Sequence, residues 1–454
     1  MSMQSTDERG QWGSKIGFIL AASGSAVGLG NIWRFPYMTG ENGGAAFVFI
    51  YLVCVLLIGL PLLINELALG RASGKNPVGA FKATMPGTPF VFTGVLCVIL
   101  CFVVLSYYSV IAGWTIGYAI SSVMGKQLVF SDFVATPKYI LPLLAVFLVL
   151  TALIVQAGVQ KGIERAAKIL MPLLLVFVLV IIARSLTLPG AMAGVSYYLK
   201  PDFSKINGDV VLAALGQAFF SLSVGWGLMI TYGSYMPKNQ NMVSGGVWVA
   251  FMDTIVAILG GFMVFPAVFA FGMSPDAGPS LTFQTLPAVF EKMPAGGIVA
   301  TIFFLLLSIA ALTSSISMLE VPVSYILDEK KASRSTAAWI VAGFAFLVGI
   351  PSALSAGGSK FFTEMQLFGK TGFMDIVDFG FGTVLVVVIS LLCSVYVGWV
   401  WKPQAAVKEI SGGAPSFSGE GRFNLASIWS FFVKYVCPIV ITYVLFKTFF
   451  PSAG

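Results

Sequence analysis

Two apolar segments of this chain are interrupted at their centres in the same way. Gly24-Ser25-Ala26-Val27-Gly28-Leu29-Gly30-Asn31 lies inside residues 16–37, and Phe219-Phe220-Ser221-Leu222-Ser223-Val224-Gly225-Trp226-Gly227 lies inside residues 210–235. Both carry Val-Gly-x-Gly, and glycine leaves a helix interior under-determined. A broken helix exposes two half-helix ends. The N-terminal end of the outer half offers free N–H groups and positive dipole to a carboxylate. The C-terminal end of the inner half offers free carbonyls to a hard cation such as Na+. In the first segment the Gly24, Ala26 and Val27 carbonyls and the Leu29 and Gly30 amides hold those places. Asp253 puts a carboxylate in mid-span, where its cost makes it a functional candidate. Thr313 and Ser314 add hydroxyls that, taken alone, read as ordinary helix back-bonding groups.

The elements that must position these groups are membrane spans. The chain is 57% hydrophobic and 10% charged, with mean hydropathy +0.92, whereas a soluble domain carries about 25% charge. Windows of about 20 apolar residues predict eleven spans, near 15–38, 43–69, 90–124, 138–157, 165–184, 210–235, 242–272, 297–327, 335–353, 372–401 and 426–449. If the two broken segments are equivalent first helices, each half has five spans, and an odd number inverts the second half. The expected divisions are a first repeat over 1–184, a linker over 185–209, an inverted repeat over 210–402, a polar loop over 403–425 and an added eleventh span over 426–454. Within the second repeat, 273–294 reads as an external lid or re-entrant hairpin. Gly162 and Pro172 bracket a place where the fifth span could unwind. The first span lacks a cleavage pattern and does not read as a removable signal.

Lys and Arg are in excess in the loops that would lie inside if the N-terminus is cytoplasmic, which puts the C-terminus outside. The net charge of +7 is thereby a topology signal rather than a nucleic-acid footprint. Cys54, Cys97, Cys101, Cys393 and Cys437 all fall in apolar spans and read as core residues. The chain has no histidine, which removes the commonest general base and metal ligand. The glycine runs lack the Lys-Ser/Thr of a nucleotide loop.

Ser25-Ala-Val-Gly-Leu-Gly-Asn-Ile-Trp-Arg-Phe-Pro-Tyr37, followed by Glu41-Asn42-Gly43-Gly44, resembles the neurotransmitter:sodium symporter family. Gly216-Gln217-Ala218-Phe219-Phe220-Ser221-Leu222-Ser223 and Leu312-Thr313-Ser314-Ser315 extend the match over nearly the whole chain. The likeness is to the bacterial amino-acid-transporting branch, which implies an all-α integral membrane protein of the leucine-transporter-like fold in the inner membrane. It also implies two Na+ sites. The first would use Ala26, Asn31, Ser221 and Asp253, with the substrate carboxylate as a further ligand. The second would use the Gly24, Val27 and Ala310 carbonyls with the Thr313 and Ser314 hydroxyls, all oxygen ligands as a small hard cation requires.

The resemblance implies more about the substrate. Gly28 stands where monoamine carriers of the family place Asp, which leaves room for a substrate's own carboxylate at Leu29, Gly30 and Tyr108. Val104, Phe220, Ser223, Trp226 and Met318 would line the side-chain pocket together with Ala26 and Ser221, favouring an apolar amino acid. Asp253 replaces a frequent Asn, and Ala257 stands where chloride-dependent members have a Ser, so chloride independence is expected. Arg34 and Asp378 would form an outer gate, and Arg9, Trp12, Tyr235 and Asp328 an inner one. Glu66 would bond freed backbone near the first break, and Glu320 has no assigned role.

The implied function is Na+-coupled amino-acid import by alternating access. A proton-coupled or exchange carrier of the same fold remains an alternative, as does an amino-acid sensor on that scaffold. Without histidine or a nucleophile–base arrangement the chain is not expected to be an enzyme. Oligomeric state is not legible, and nucleic acid is not an expected partner.

Overall fold

The structure is a computed structural model that describes residues 10–126, 128–273, 281–419 and 424–450. Arg9 and part of the expected lid, residues 274–280, lie outside the described residues. The fold is all-α, apart from one two-residue hairpin pairing Gln366–Leu367 with Lys370–Thr371. In chain order the helices that matter are α1 (Lys15–Ala26), α2 (Gly30–Glu41), α3 (Ala45–Ser73), α4 (Val91–Val123), α5 (Pro137–Gln156) and α6 (Val159–Leu186). They continue with α7 (Gly208–Ser221), α8 (Leu228–Gly233), α9 (Met242–Ala270), α10 (Gly296–Lys330), α11 (Arg334–Leu354), α12 (Phe373–Val400), α13 (Pro403–Ser411) and α14 (Leu425–Phe449).

Among the described residues nine helices are long and apolar enough to cross a membrane. A tenth span is the pair α1 and α2, bent by 53° at its break. The interrupted pair α7 and α8 occupies the remaining expected segment, the sixth, at 210–235. The first break follows from Val27, which leaves the helix at φ −72° and ψ 102°. The second needs left-handed backbone, with φ of +54° at Ser223, +83° at Gly225 and +74° at Gly227. Only glycine takes such angles without strain. A Cβ on Gly227 would also lie 2.6 Å from Cys97 Cβ.

The helices fall into two packed groups. In one, α3 packs on α8 and α9, and α1 packs on α9; in the other, α4 packs on α10, α5 and α11. Gly70 and Gly233 bring the α3 and α8 backbones together, because a Cβ on Gly70 would collide with the Ile230 carbonyl and one on Gly233 would lie 2.6 Å from the Leu67 carbonyl. Small residues permit such close approach where no hydrophobic force drives helices together in lipid. The five cysteines are free and buried, as expected.

Three places carry structure that the expected divisions did not specify. The linker at 185–209 contains a helix, Ala191–Leu199, whose Gly194 lies against the α9 backbone and whose Tyr198 donates to the Ile258 carbonyl at 3.0 Å. Between Gly162 and Pro172, where the fifth span could unwind, α6 is continuous in this structure, with a widened first turn over Val159–Glu164. The loop after α12 holds helix α13, with Pro403, Ala406 and Ile410 buried.

Helix α13 is fastened by charge. Arg71, at the end of α3, is fully buried, donates from Nε to Glu409 at 2.9 Å and from Nη1 to the Gln240 carbonyl at 2.6 Å, and bonds the Glu409 carbonyl through Nη2. Lys238 reaches the same carboxylate at 3.0 Å. Removing one partner of a buried pair costs about 3–5 kcal/mol because the other charge is left uncompensated. Two carbonyls stay with Arg71, so Glu409→Ala is expected at the lower end of that range. A clear drop in the melting temperature of the purified protein, with Lys238→Ala nearly silent, is the expected pattern.

Candidate functional site

A cavity of about 400 Å³ opens between the two breaks. Its floor is backbone from the first break, at Ser25, Ala26, Gly28, Leu29 and Gly30. Tyr108, from the middle of α4, places its hydroxyl 3.4 Å from the Leu29 amide. A Cβ on Gly28 would lie 2.5 Å from Ser314 Oγ and 3.2 Å from Tyr108 Oη, and one on Gly30 would lie 2.6 Å from the Phe220 ring. The two glycines are therefore spacers that let Ser314, Tyr108 and Phe220 approach the backbone of the break. Val104, Phe220, Ser223, Trp226 and Met318 line the same cavity. Trp226 meets Phe220 edge to face at 6.0 Å, and its carbonyl accepts from Cys101 at 3.1 Å. One end of the space is polar backbone with a phenol, and the other is apolar side chain.

Two oxygen-rich clusters flank this cavity. In the first, Asp253 is fully buried and accepts from Asn31 Nδ2 at 2.7 Å and Ser221 Oγ at 2.6 Å. Asn31 Oδ1 accepts from the Gly28 amide at 3.1 Å, which ties the cluster to the break. Tyr51 donates to Ser221 Oγ at 3.2 Å. Ser221 is the last residue of α7, so the second break delivers its hydroxyl to the first. No Lys or Arg pairs with Asp253 among the described residues.

The second cluster lies where α10 passes the end of α1. Thr313 Oγ1 is 3.4 Å from the Val27 carbonyl and 3.0 Å from the Ala310 carbonyl. Ser314 Oγ is 3.5 Å from the Val27 carbonyl and 3.2 Å from that of Ser25. Gly24 sits beside them, and a Cβ there would lie 3.3 Å from both Thr313 Cβ and Met171 Sδ. Hydroxyls that would otherwise only bond back along their own helix are thus joined by carbonyls freed at the break.

The two ends of the cavity differ. At one end Arg34 stacks on Phe220, 4.8 Å from the ring centroid, and donates to Gln217 at 3.3 Å. Asp378 accepts from Tyr107 at 2.7 Å. Both acid and base line the cavity, but the expected Arg34–Asp378 ion pair is not formed among the described residues. At the other end Trp12 is buried, donates from Nε1 to the Tyr232 carbonyl at 2.9 Å, and packs on Phe18, Tyr232 and Tyr235. Asp328 accepts from both nitrogens of Asn76 at 2.8 Å. Arg34 and Asp378 thus line the cavity without pairing, whereas Trp12 and Tyr235 are buried away from it.

Sequence reasoning misplaced one group and left others without partners. Glu66 serves the second break rather than the first: its Oε1 accepts from the Gly225 amide at 2.6 Å. Glu320, without an assigned role, is fully buried, accepts from Tyr235 at 2.5 Å and pairs with Arg334 at 2.7 Å. Phe283 and Gln284, from the described part of the expected lid, line the cavity beside Trp33 and Trp114. A signal for Glu320 existed, since a carboxylate in an apolar span demands a partner. Its partner lies beyond the end of its helix and has no local signature.

Comparison with known proteins identifies the family. Residues 9–136 and 127–452 match the Sodium:neurotransmitter symporter family. A Bacillus subtilis (strain 168) protein, named uncharacterized sodium-dependent transporter YhdH, is 40% identical over 443 residues, covering 96% of each chain. A Methanocaldococcus jannaschii protein, uncharacterized sodium-dependent transporter MJ1319, is 33% identical over 469 residues, covering 97% of this chain and 90% of its own. The crystal structure of MhsT in complex with L-phenylalanine superimposes with a TM-score of 0.87 at 41% identity, covering 97% of this chain and all of that one. A helical membrane fold with two matched breaks, two oxygen clusters beside the first of them, and a family match with sodium-dependent relatives over nearly all of its length place this chain in the sodium:neurotransmitter symporter family.

Proposed function

We propose that this sodium-dependent transporter imports an apolar amino acid, coupled to Na+ at two sites and without chloride. The observation that carries the reading is the cavity at the first break. Its Leu29 and Gly30 amides and the Tyr108 hydroxyl, which accepts only a long bond from Leu29, suit a carboxylate, and its Val104, Trp226 and Met318 side chains suit an apolar group. The L-phenylalanine held by the similar MhsT structure supports the same substrate class.

Asp253, Asn31, Ser221 and the Ala26 carbonyl form the first sodium site. A buried carboxylate with only neutral donors is costly until a cation joins it, so Na+ completes that site. Gly24, Val27, Ala310, Thr313 and Ser314 form the second. Ala257 has no group to offer an anion, and the Ser221 hydroxyl is already given to Asp253. The fixed charge of Asp253 takes the place of chloride. In this reading the Arg34 end faces outside and the Trp12 end faces the cytoplasm of a bacterial inner membrane. Arg34 and Asp378 close above the bound substrate, and the seal of Trp12 and Tyr235, with Asp328 and Arg9 beside it, opens to release it.

Uptake into proteoliposomes tests this reading. A Na+ gradient drives accumulation of one or more apolar amino acids, and gluconate in place of chloride leaves the rate nearly unchanged. A several-fold loss in gluconate would show that Asp253 does not do the anion's work. Asp253→Asn is expected either to abolish uptake or to make it respond to chloride.

A further inference from the structure

The start of the first span is held by one carboxylate that the sodium and substrate sites do not use. Glu164, at the end of the widened first turn of α6, accepts from the Gly13 amide at 2.7 Å and from the Ser14 hydroxyl at 2.9 Å. Ser14 is the N-cap of α1, and its Oγ in turn accepts from the Gly17 amide at 3.0 Å. The carboxylate therefore sits on the positive end of the α1 dipole, with an uncapped amide and the capping hydroxyl both aimed at it. Gly13 and Gly17 make room for it: a Cβ on Gly17 would collide with the Glu164 carboxyl, and one on Gly13 would lie 3.3 Å from its Oε2. One turn earlier, Gln160 donates to the Gln11 carbonyl at 2.9 Å. The same helix later carries Met171, which walls Gly24 at the second oxygen cluster.

Lys168 shares this carboxylate. It lies on the same helix, one turn on, with Nζ 2.7 Å from Oε1; its side chain is 45% exposed whereas that of Glu164 is 4% exposed. A buried charge stripped of every partner is very costly. Should α1 move away, Glu164 loses Gly13 and Ser14 but keeps the ammonium. Lys168 therefore lowers the cost of releasing α1.

We propose that Glu164 is a positioning residue for transport, a charge-assisted latch that holds the inner half of the broken first span closed against α6. Lys168 is the counter-ion that lets the latch let go. The two side chains act in opposite directions. Without Glu164 the Trp12 end opens more readily. Without Lys168 the latch still forms, but its release strands a carboxylate, and the end stays shut.

A thiol reporter at Ala167 reads this directly. Ala167 lies on α6 between the two residues and is 4% exposed with the Trp12 end sealed. The full chain bearing Ala167→Cys, in nanodiscs, is treated with a hydrophilic maleimide, and the chain without the reporter gives the background from its five buried cysteines. Glu164→Gln is expected to raise the labelling rate about tenfold, the weight of one charge-assisted hydrogen bond. Glu164→Asp should fall between, and Lys168→Met should label more slowly than the parent. A merely structural role would lower thermal stability without this opposed pair of shifts. Labelling of Glu164→Gln at the parent rate, a Lys168→Met shift in the same direction, or no labelling of any variant overturns the latch. If Glu164→Gln proves unstable, Lys168→Met, which leaves the latch bonds in place, decides alone. The inference rests on the alternating-access reading, but labelling needs neither the substrate nor its coupling ion. Failed uptake with opposed labelling would therefore sink the proposed transport and leave the latch.

Discussion

Gly28→Asp is expected to abolish binding of zwitterionic amino acids while sparing the matching decarboxylated amines. The position faces the Leu29 amide and the Tyr108 hydroxyl, where the substrate carboxylate is proposed to sit. Two carboxylates about 4 Å apart repel by about 4 kcal/mol at an effective dielectric of about 20, or close to a thousandfold in affinity. Amines bring no such charge, and their ammonium group can pair with the new Asp. Crowding must be separated from charge, because any Cβ at 28 would lie 2.5 Å from Ser314 Oγ. Gly28→Ala provides that control, since crowding weakens amino acid and amine alike whereas charge separates them. The measurement is Na+-dependent binding of an amino acid and its amine to the three proteins. A parent that binds the amine as tightly as the amino acid would refute carboxylate recognition, and with it the substrate class.

Replacing Thr313 and Ser314 together by Ala is expected to remove Na+ coupling and leave the protein folded. Both hydroxyls lie within 3.5 Å of the Val27 carbonyl at the end of α1. A methyl group cannot replace an oxygen ligand in a dry site, and each bond to a charged partner is worth about 1.5–3 kcal/mol. The Na+ concentration for half-maximal substrate binding should rise at least about a hundredfold on that scale. Thr313→Ser keeps an oxygen and is expected to stay near the parent. A Na+ titration of the double variant that overlays the parent curve, in monodisperse protein, would remove these residues from the sodium site.

What was readable in advance was local. Val-Gly-x-Gly stands at both breaks, and at the second the left-handed angles of Gly225 and Gly227 are cheap only for glycine. Apolar windows of spanning length produce α3, α4, α9 and α10 through the backbone's need to satisfy itself in lipid. Where the sequence resembles a known family, Asn31, Ser221 and Asp253 could also be grouped before any helix was placed. The structure then brings them within hydrogen-bonding distance.

Partners across the fold were not readable. The sequence alone marked Glu66 and Glu320 as acids in apolar spans, but it did not say what each would meet, and it gave Glu164 no role. Glu66 meets the second break because α3 and α8 touch backbone to backbone at Gly70 and Gly233. Glu320 meets Arg334 across the turn between α10 and α11, Arg71 meets Glu409 across 338 residues, and Glu164 meets Gly13 across 151. That Arg34 would meet Gln217 and Phe220 rather than Asp378 was equally invisible. A break or a span is decided by torsions and transfer energies within a few neighbouring residues. A buried charge takes its partner from whichever helix crosses it, and that crossing is decided only when all the helices pack at once.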